Sequence, residues 1–403
     1  MGDKEDLFEA SASVVGYIYQ LRKALYACIE RHGRGLDWCI AIEAGDDIEE
    51  ITDRGRVLSQ LKHRAAGVSL TDSSTDLWKT LRIWAHAITH ERVDLDGTDL
   101  LLLTTADLPA GSVGFLLQPV VSGVRDEERA LEALVAARQA SVSRENGKAY
   151  EAFDKLSEAE RRSMVARIQV VGHAPDIDAM EALLLEKVVP AVGHQYAESF
   201  LERLEGWFYR RTIRQLRTDE MDAITGEEFD QIFTDLRDQF RPGNLPIDDD
   251  IALLEPDPSD HVDMVFVRQL GLINAGGAQL RIAVRDYIRA FTQRSRWSDE
   301  NLLLPGEISR YERRLIEEWQ DMFAEMEDNL GAEATEAEKV AAAKEVYRWA
   351  SREARRCIRP DCDEPFVAKG SFHLLADDLR IGWHIDFLAR LMAVLEPAEA
   401  TSA

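Results

Sequence analysis

Cysteine is scarce in this chain, with four residues among 403. That excludes a disulfide framework as the organising device of a protein this long. Cys28 and Cys39 stand in apolar runs and are expected in the core. Cys357 and Cys362 stand in CIRPDC, one ligand pair where a closed zinc site needs four ligands, and only His373 and His384 follow them as further candidates. Long apolar runs are also missing. No stretch approaches the roughly 20 residues that cross a bilayer. The acidic opening MGDKEDLFEASAS lacks the basic-then-apolar layout of a signal peptide, so a cytoplasmic protein with no membrane partner is expected. Positive charge is in deficit: 48 Lys and Arg against 74 Asp and Glu give a formal net charge of −26. This argues against a broad, sequence-independent grip on nucleic acid, but leaves room for a local basic groove.

What is present reads as a soluble globular chain, 45% hydrophobic and 30% charged. Its length exceeds one ordinary core and suggests two or three domains. Residues 11–32 carry Val14, Ile18, Leu21, Leu25 and Ile29 at helical spacing, and Gly33 and Gly35 end the run. LDWCIAIE, DDIEEI and RVLSQLKHR read as three short strands, the last two joined by TDRG. TDS at 71–73 offers caps for a helix through STDLWKTLRIWAHAI, and LLLLTT at 100–105 reads as a buried strand. The helix before this strand can serve as a crossover, giving a mixed sheet flanked by helices. From about residue 123 long amphipathic helices take over, interrupted by the strand-like RIQVVG. The Pro- and Asp-rich stretch 241–260 is the clearest boundary. The expected parts are 1–120, 121–245 and 246–403, the first α/β and the rest mainly α-helical. GLINAGGAQ fits no phosphate-binding loop, and no internal repeat is evident.

The chemistry gathers in DDIEEITDRGRVLSQLKHRA, residues 46–65. Gln60 and Lys62 project to the same side of a strand. In a hairpin, Asp47 can face them, and Glu43 ends the neighbouring strand. Asp46 competes with Asp47, because a slip of one residue exchanges the faces. Such a set suits metal-assisted phosphodiester hydrolysis, with carboxylates and the Gln60 carbonyl as hard ligands and Lys62 stabilising developing charge. The alternative is an exposed hairpin of mixed charge. Gln20 can approach from the first helix, while His63 points opposite to Lys62 and suits a supporting or DNA-facing role. Lys79, Arg82 and Arg64, with Arg22 and Lys23, are candidates for a local basic lip. The runs 207–217 and 289–297 combine aromatic and basic residues and suit either nucleic acid or an acidic protein surface. Trp78, Trp84 and GWHIDF read as core or interface packing.

Asp47 followed by Gln60-Leu61-Lys62 resembles the PD-(D/E)XK nuclease motif in the variant with Gln at the second acidic position. The order of elements is similar to that restriction-endonuclease-like core over roughly residues 8–110. Gly16-Tyr17-Ile18-Tyr19-Gln20 and Trp78-Lys79-Thr80-Leu81 resemble the nuclease domains of anti-phage effectors, shared by CBASS effectors of the SAVED type and ABC-three-component systems such as Lamassu. The segment IRPDC through GWHIDF is similar to the C-terminal helical modules of the latter. The resemblance implies a DNA endonuclease that uses Mg²⁺ or Mn²⁺ at Asp47, Glu43 and Gln60. It also implies double-stranded DNA as substrate, an SMC-like ATPase and a small middle subunit as partners, and self-association when active. The competing expectations are a CBASS-type or stand-alone restriction-like nuclease, and a non-catalytic subunit with a decayed nuclease core.

Overall fold

The computed structural model describes residues 2–395 except positions 45, 65–66, 142, 219–221, 332 and 355, with side chains from residue 14 to 392. Contacts divide the chain into two units, Met1–Leu236 and Arg237–Ala403.

The first unit begins with the expected order of helix, three strands, helix and strand. These are α1 (Gly2–His32), β1 (Trp38–Ile42), β2 (Ile48–Thr52), β3 (Gly55–Lys62), α2 (Thr75–Thr89) and β4 (Thr98–Thr104). β1, β2 and β3 pair antiparallel, and β3 pairs parallel with β4. The β2–β3 turn needs Gly55: its φ is 134°, and a Cβ there would meet Gly97 O at 2.6 Å. α2 is the crossover that a parallel pair requires. Its Leu77, Trp78, Leu81 and Trp84 bury one face against Leu58, Leu100 and Leu102. The N-cap is Ser74, whose hydroxyl accepts from Thr71 N at 2.9 Å, while Asp72 turns away to accept from Val113 N at 2.7 Å.

The chain continues through α3 (Val113–Leu116), α4 (Glu127–Ala140), α5 (Gly147–Lys155), α6 (Glu158–Arg167), β5 (Ile168–Val171), α7 (Ile177–Val192), α8 (Ala197–Leu216), β6 (Ile224–Thr225) and α9 (Gly226–Gln239). β5 joins β4 in parallel and β6 joins β1 antiparallel, completing a six-stranded sheet in the order β5-β4-β3-β2-β1-β6. The region 121–245, read from the sequence as a helical middle region, thus supplies both edge strands, and its residues up to 236 lie in the first unit. Arg211 ties this addition together: its buried guanidinium donates to Glu228 at 2.6 Å and to Asp222 at 2.9 and 3.1 Å. The α1 stripe departs from the expectation at its start. Leu21, Leu25 and Ile29 are buried, but Val14 and Ile18 are 59% and 39% exposed. With Tyr17, Phe208 and Tyr209 they line an open apolar cavity of about 730 Å³.

The second unit is helical, as expected: α10 (Asp249–Ala252), α11 (Val265–Leu272), α12 (Gly277–Asp299), α13 (Glu307–Asn329), α14 (Glu336–Arg352), α15 (Pro365–Asp377) and α16 (Phe387–Leu395). α12 and α15 cross closely at Gly370, where any Cβ would meet Asp286 O and Ala290 Cβ. Arg359 and Glu307 form a buried two-pronged pair, both bonds 2.9 Å, and Arg359 also donates to Asn244 O at 2.8 Å and Leu302 O at 2.9 Å. Every prong is met, which a buried ion pair requires. GWHIDF packs inside, with Trp383 and His384 fully buried and Trp319 Nε1 donating to Gly382 O at 2.8 Å. Burial, with the neighbouring Cys357, pushes the Cys362 thiol up to about 12. His373 lies among Phe266, Tyr347 and Trp383, and burial pushes it down to about 3. No described helix is long and apolar enough to cross a membrane.

Two outcomes follow for the second unit. Gly370→Val forces α12 and α15 apart and lowers stability by about 1–3 kcal/mol in urea denaturation. His373 stays neutral in the folded chain down to about pH 3, whereas an unfolded His takes its proton near pH 6.5. The unit therefore loses stability as pH falls from 6.5 toward 3. Stability measured against pH has a shallower acid slope in His373→Leu; an unchanged slope contradicts the assignment.

Candidate functional site

The β2–β3 register places Ile48 opposite Ser59. The two residues before β2, Asp46 and Asp47, therefore reach the far end of β3 together. The strand does not choose between them, because they precede its regular pleat. Asp47 Oδ2 accepts from Leu61 N at 2.7 Å, and its Oδ1 accepts from Gln60 Nε2 at 2.9 Å. The same Gln60 nitrogen also donates to Asp46 Oδ1. Asp46 Oδ2 accepts from the indole Nε1 of Trp84 at 2.6 Å. Gln60 and Lys62 share a side, and Lys62 Nζ donates to Gln60 Oε1 at 2.8 Å while lying 3.9 Å from Asp47 Oδ2.

Burial governs the electrostatics. Asp46 is 6% and Gln60 2% exposed. Withdrawal from water, with the Asp47 charge adding, raises the Asp46 carboxyl to about 6 against the opposing bonds from Trp84 and Gln60. Glu43 lies at the rim, with φ 55° and its N–H donating to Asp47 O at 3.2 Å. Partial desolvation, then the charges of Asp47 and Asp46, raise its carboxyl, with Lys62 opposing.

The other predicted residues divide. His63 points away, its ring 5.6 Å from that of Tyr19 on α1. Gln20 makes none of these hydrogen bonds. Most of the expected basic lip is neutralised: Arg64 Nε donates to Asp76 at 2.6 Å, Lys79 lies 3.6 Å from Glu145, and Arg22 pairs with Glu181 at 2.7 Å and Glu205 at 2.9 Å. Lys23 covers the Tyr26 ring at 4.9 Å. Arg82 is exposed and forms no ion pair with a described residue. In the run 289–297, Arg289 pairs with Glu255 at 2.9 Å, Arg296 with Asp250 at 2.9 Å, and Arg294 with Glu312.

Two residues at this corner escape sequence reasoning. Trp84 reads as core, and nothing in its spacing says where its N–H points. Gln215, on α8, donates to Ile42 O at 2.9 Å from 173 positions away and pins the end of β1 beside Glu43. Its sequence neighbours, Arg214 and Leu216, give no hint of a buried amide.

In kind, the donors suit a hard cation such as Mg²⁺. In arrangement they do not. Gln60 turns its nitrogen toward both carboxylates and its oxygen toward the Lys62 ammonium. No group of three or more Asp, Glu, His or Cys side chains converges on a cation position among the described residues. The corner is a closed hydrogen-bonded network, able to hold an ammonium and two carboxylates in fixed relation.

Residues 266–391, from α11 through most of α16, match the model of C-terminal domain 7 of the ABC-three component (ABC-3C) systems. The match assigns this stretch to those systems. No curated protein and no solved structure matches the chain.

The Trp84–Asp46 bond is directly testable. Trp84→Phe keeps an aromatic ring and leaves a buried carboxylate oxygen one donor short. The expected loss is about 1–3 kcal/mol, read as a lower urea midpoint. An unchanged midpoint refutes a structural role for the indole N–H.

Proposed function

We propose that this chain, which carries a C-terminal domain of the ABC-three-component systems, is the DNA-cleaving effector of such a system. The observation that carries the reading is the meeting of Lys62, Gln60 and Asp47 at the end of β3, with Lys62 Nζ 2.8 Å from Gln60 Oε1 and 3.9 Å from Asp47 Oδ2. Lys62 is one-fifth exposed, enough for a phosphodiester to reach its ammonium. A fixed ammonium there stabilises the negative charge that develops as phosphorus is attacked. Asp47 holds that ammonium in place and offers a carboxylate edge to an attacking water. The PD-(D/E)XK resemblance of these residues supports the same assignment and adds Mg²⁺ or Mn²⁺ as cofactor. A cation at Asp47 and Gln60 requires the Gln60 amide to turn over and Lys62 to release its oxygen.

The role that fits is defence against phage or plasmid DNA in a Lamassu-like assembly, with an SMC-like ATPase and a small middle subunit restraining or releasing the nuclease. Self-association when active would pair two centres for double-strand cutting. One observation favours a second reading, a non-catalytic subunit with a decayed nuclease core: the site satisfies its own hydrogen bonds and gathers too few acidic ligands among the described residues.

Incubation of the full chain with supercoiled plasmid and Mg²⁺, alone and with its partner subunits, separates the two. The expected result is nicked or linear DNA, with cleavage lowered at least about a hundredfold in Lys62→Ala, the range seen when a charge-stabilising donor is removed. Equal cleavage by Lys62→Ala, or host protection unaffected by that substitution, would sink the catalytic reading.

A further inference from the structure

Beside the candidate site, a cleft of about 660 Å³ opens between α2 and the end of α8. That volume lies within the range of small-ligand sites. Its lining is of two chemistries. Ile83, Ala87, Val93 and Leu216 supply apolar surface, while Arg82 and Arg92 supply guanidinium groups. Both arginines are exposed, and neither forms an ion pair with a described residue. This contrasts with Arg64 and Arg22, which carboxylates neutralise. Of the acidic groups at the wall, Glu49 is already held by Arg56 at 2.7 Å.

An independent observation points to a ligand. Gln215 lines the cleft, is 6% exposed, and its Oε1 has no hydrogen-bond partner. Its Nε2 is committed to Ile42 O at 2.9 Å, so the amide cannot turn to exchange its ends without losing that bond. A buried acceptor left unmet is costly; the atom is closed off from solvent, so a ligand N–H meets it only when the cleft wall moves aside.

We infer that this cleft is a nucleotide-binding subsite. The phosphate sits on Arg82 and Arg92, and the base lies on the apolar wall. Once the wall over that atom moves aside, the base's exocyclic amino group donates to Gln215 Oε1. Glu43 lines the cleft and also feels the Lys62 charge, so the two sites adjoin. Where the nucleotide belongs to a DNA strand, the inference rests on the nuclease reading, and the next phosphodiester of that strand is directed toward Lys62. The same chemistry also fits a free nucleotide.

The test is fluorescence anisotropy of a short labelled single-stranded oligodeoxynucleotide on the full-length protein in EDTA, where cleavage does not intervene. Arg82→Glu/Arg92→Glu is expected to weaken binding by about tenfold or more, and Arg82→Gln/Arg92→Gln by less. For the one lost phosphate contact, the slope of log affinity against log salt falls by about 0.7. Affinity and slope unchanged in both double variants overturn the proposal. Displacement of the probe by deoxyadenosine monophosphate supports the subsite with a free nucleotide as occupant. Displacement only by unlabelled strand supports it with substrate DNA as occupant. Arginine-dependent binding without plasmid cleavage would keep the subsite and remove the nuclease, whereas cleavage with arginine-independent binding would do the reverse.

Discussion

Much of the first unit depends on one pairing: β3 lies parallel to β4. Parallel neighbours cannot be joined by a tight turn, so the chain must leave the sheet and return over one face. α2 is that return. Because Leu58 and Gln60 share a face of β3, the helix that buries Leu58 also roofs Gln60. This brings the Trp84 indole within 2.6 Å of Asp46 and leaves Arg82 at the helix surface beside the cleft. A core-forming requirement and a polar corner are thus met by one helix.

The polar corner illustrates how a buried network constrains its own chemistry. A primary amide carries two donors and one acceptor group. At Gln60 the donors go to Asp46 and Asp47, and the acceptor goes to Lys62. Each partner thereby fixes the others. The arrangement distinguishes Asp46, roofed by Trp84, from Asp47, which remains nearer to water and to Lys62. Two adjacent carboxylates acquire different environments without any difference in residue type.

The order of elements was legible because each strand is a short apolar run bounded by turn residues, and α2 carries an amphipathic stripe. The Gln60–Lys62 alternation and the hairpin turn at Gly55 were legible for the same local reasons. Other parts were not. β6 is two residues long, and its existence is decided by Cys39 and Ile40 across the sheet rather than by its own composition. The direction of the Trp84 N–H is set by packing, which spacing does not encode. Val14 and Ile18 keep helical spacing yet stay exposed, because periodicity identifies a face but not whether a partner covers it. The basic lip looked plausible as a count of side chains; Asp76, Glu145, Glu181 and Glu205 neutralise most of it, and they lie far from those cations in the sequence or outside any motif.

The edge strands set a timetable for synthesis. When residues through β4 have left the ribosome, the four-stranded sheet has bare edges at β1 and β4. β5 covers one of them at Ile168–Val171, and β6 covers the other only at Ile224–Thr225. Gln215 arrives just before β6, so the corner beside Glu43 is pinned at nearly the same moment. A nascent chain therefore carries the complete hairpin of Asp47, Gln60 and Lys62 well before the sheet that holds it is closed. During that interval the exposed edges are open to pairing with other chains, and folding speed rather than final stability governs how much protein survives.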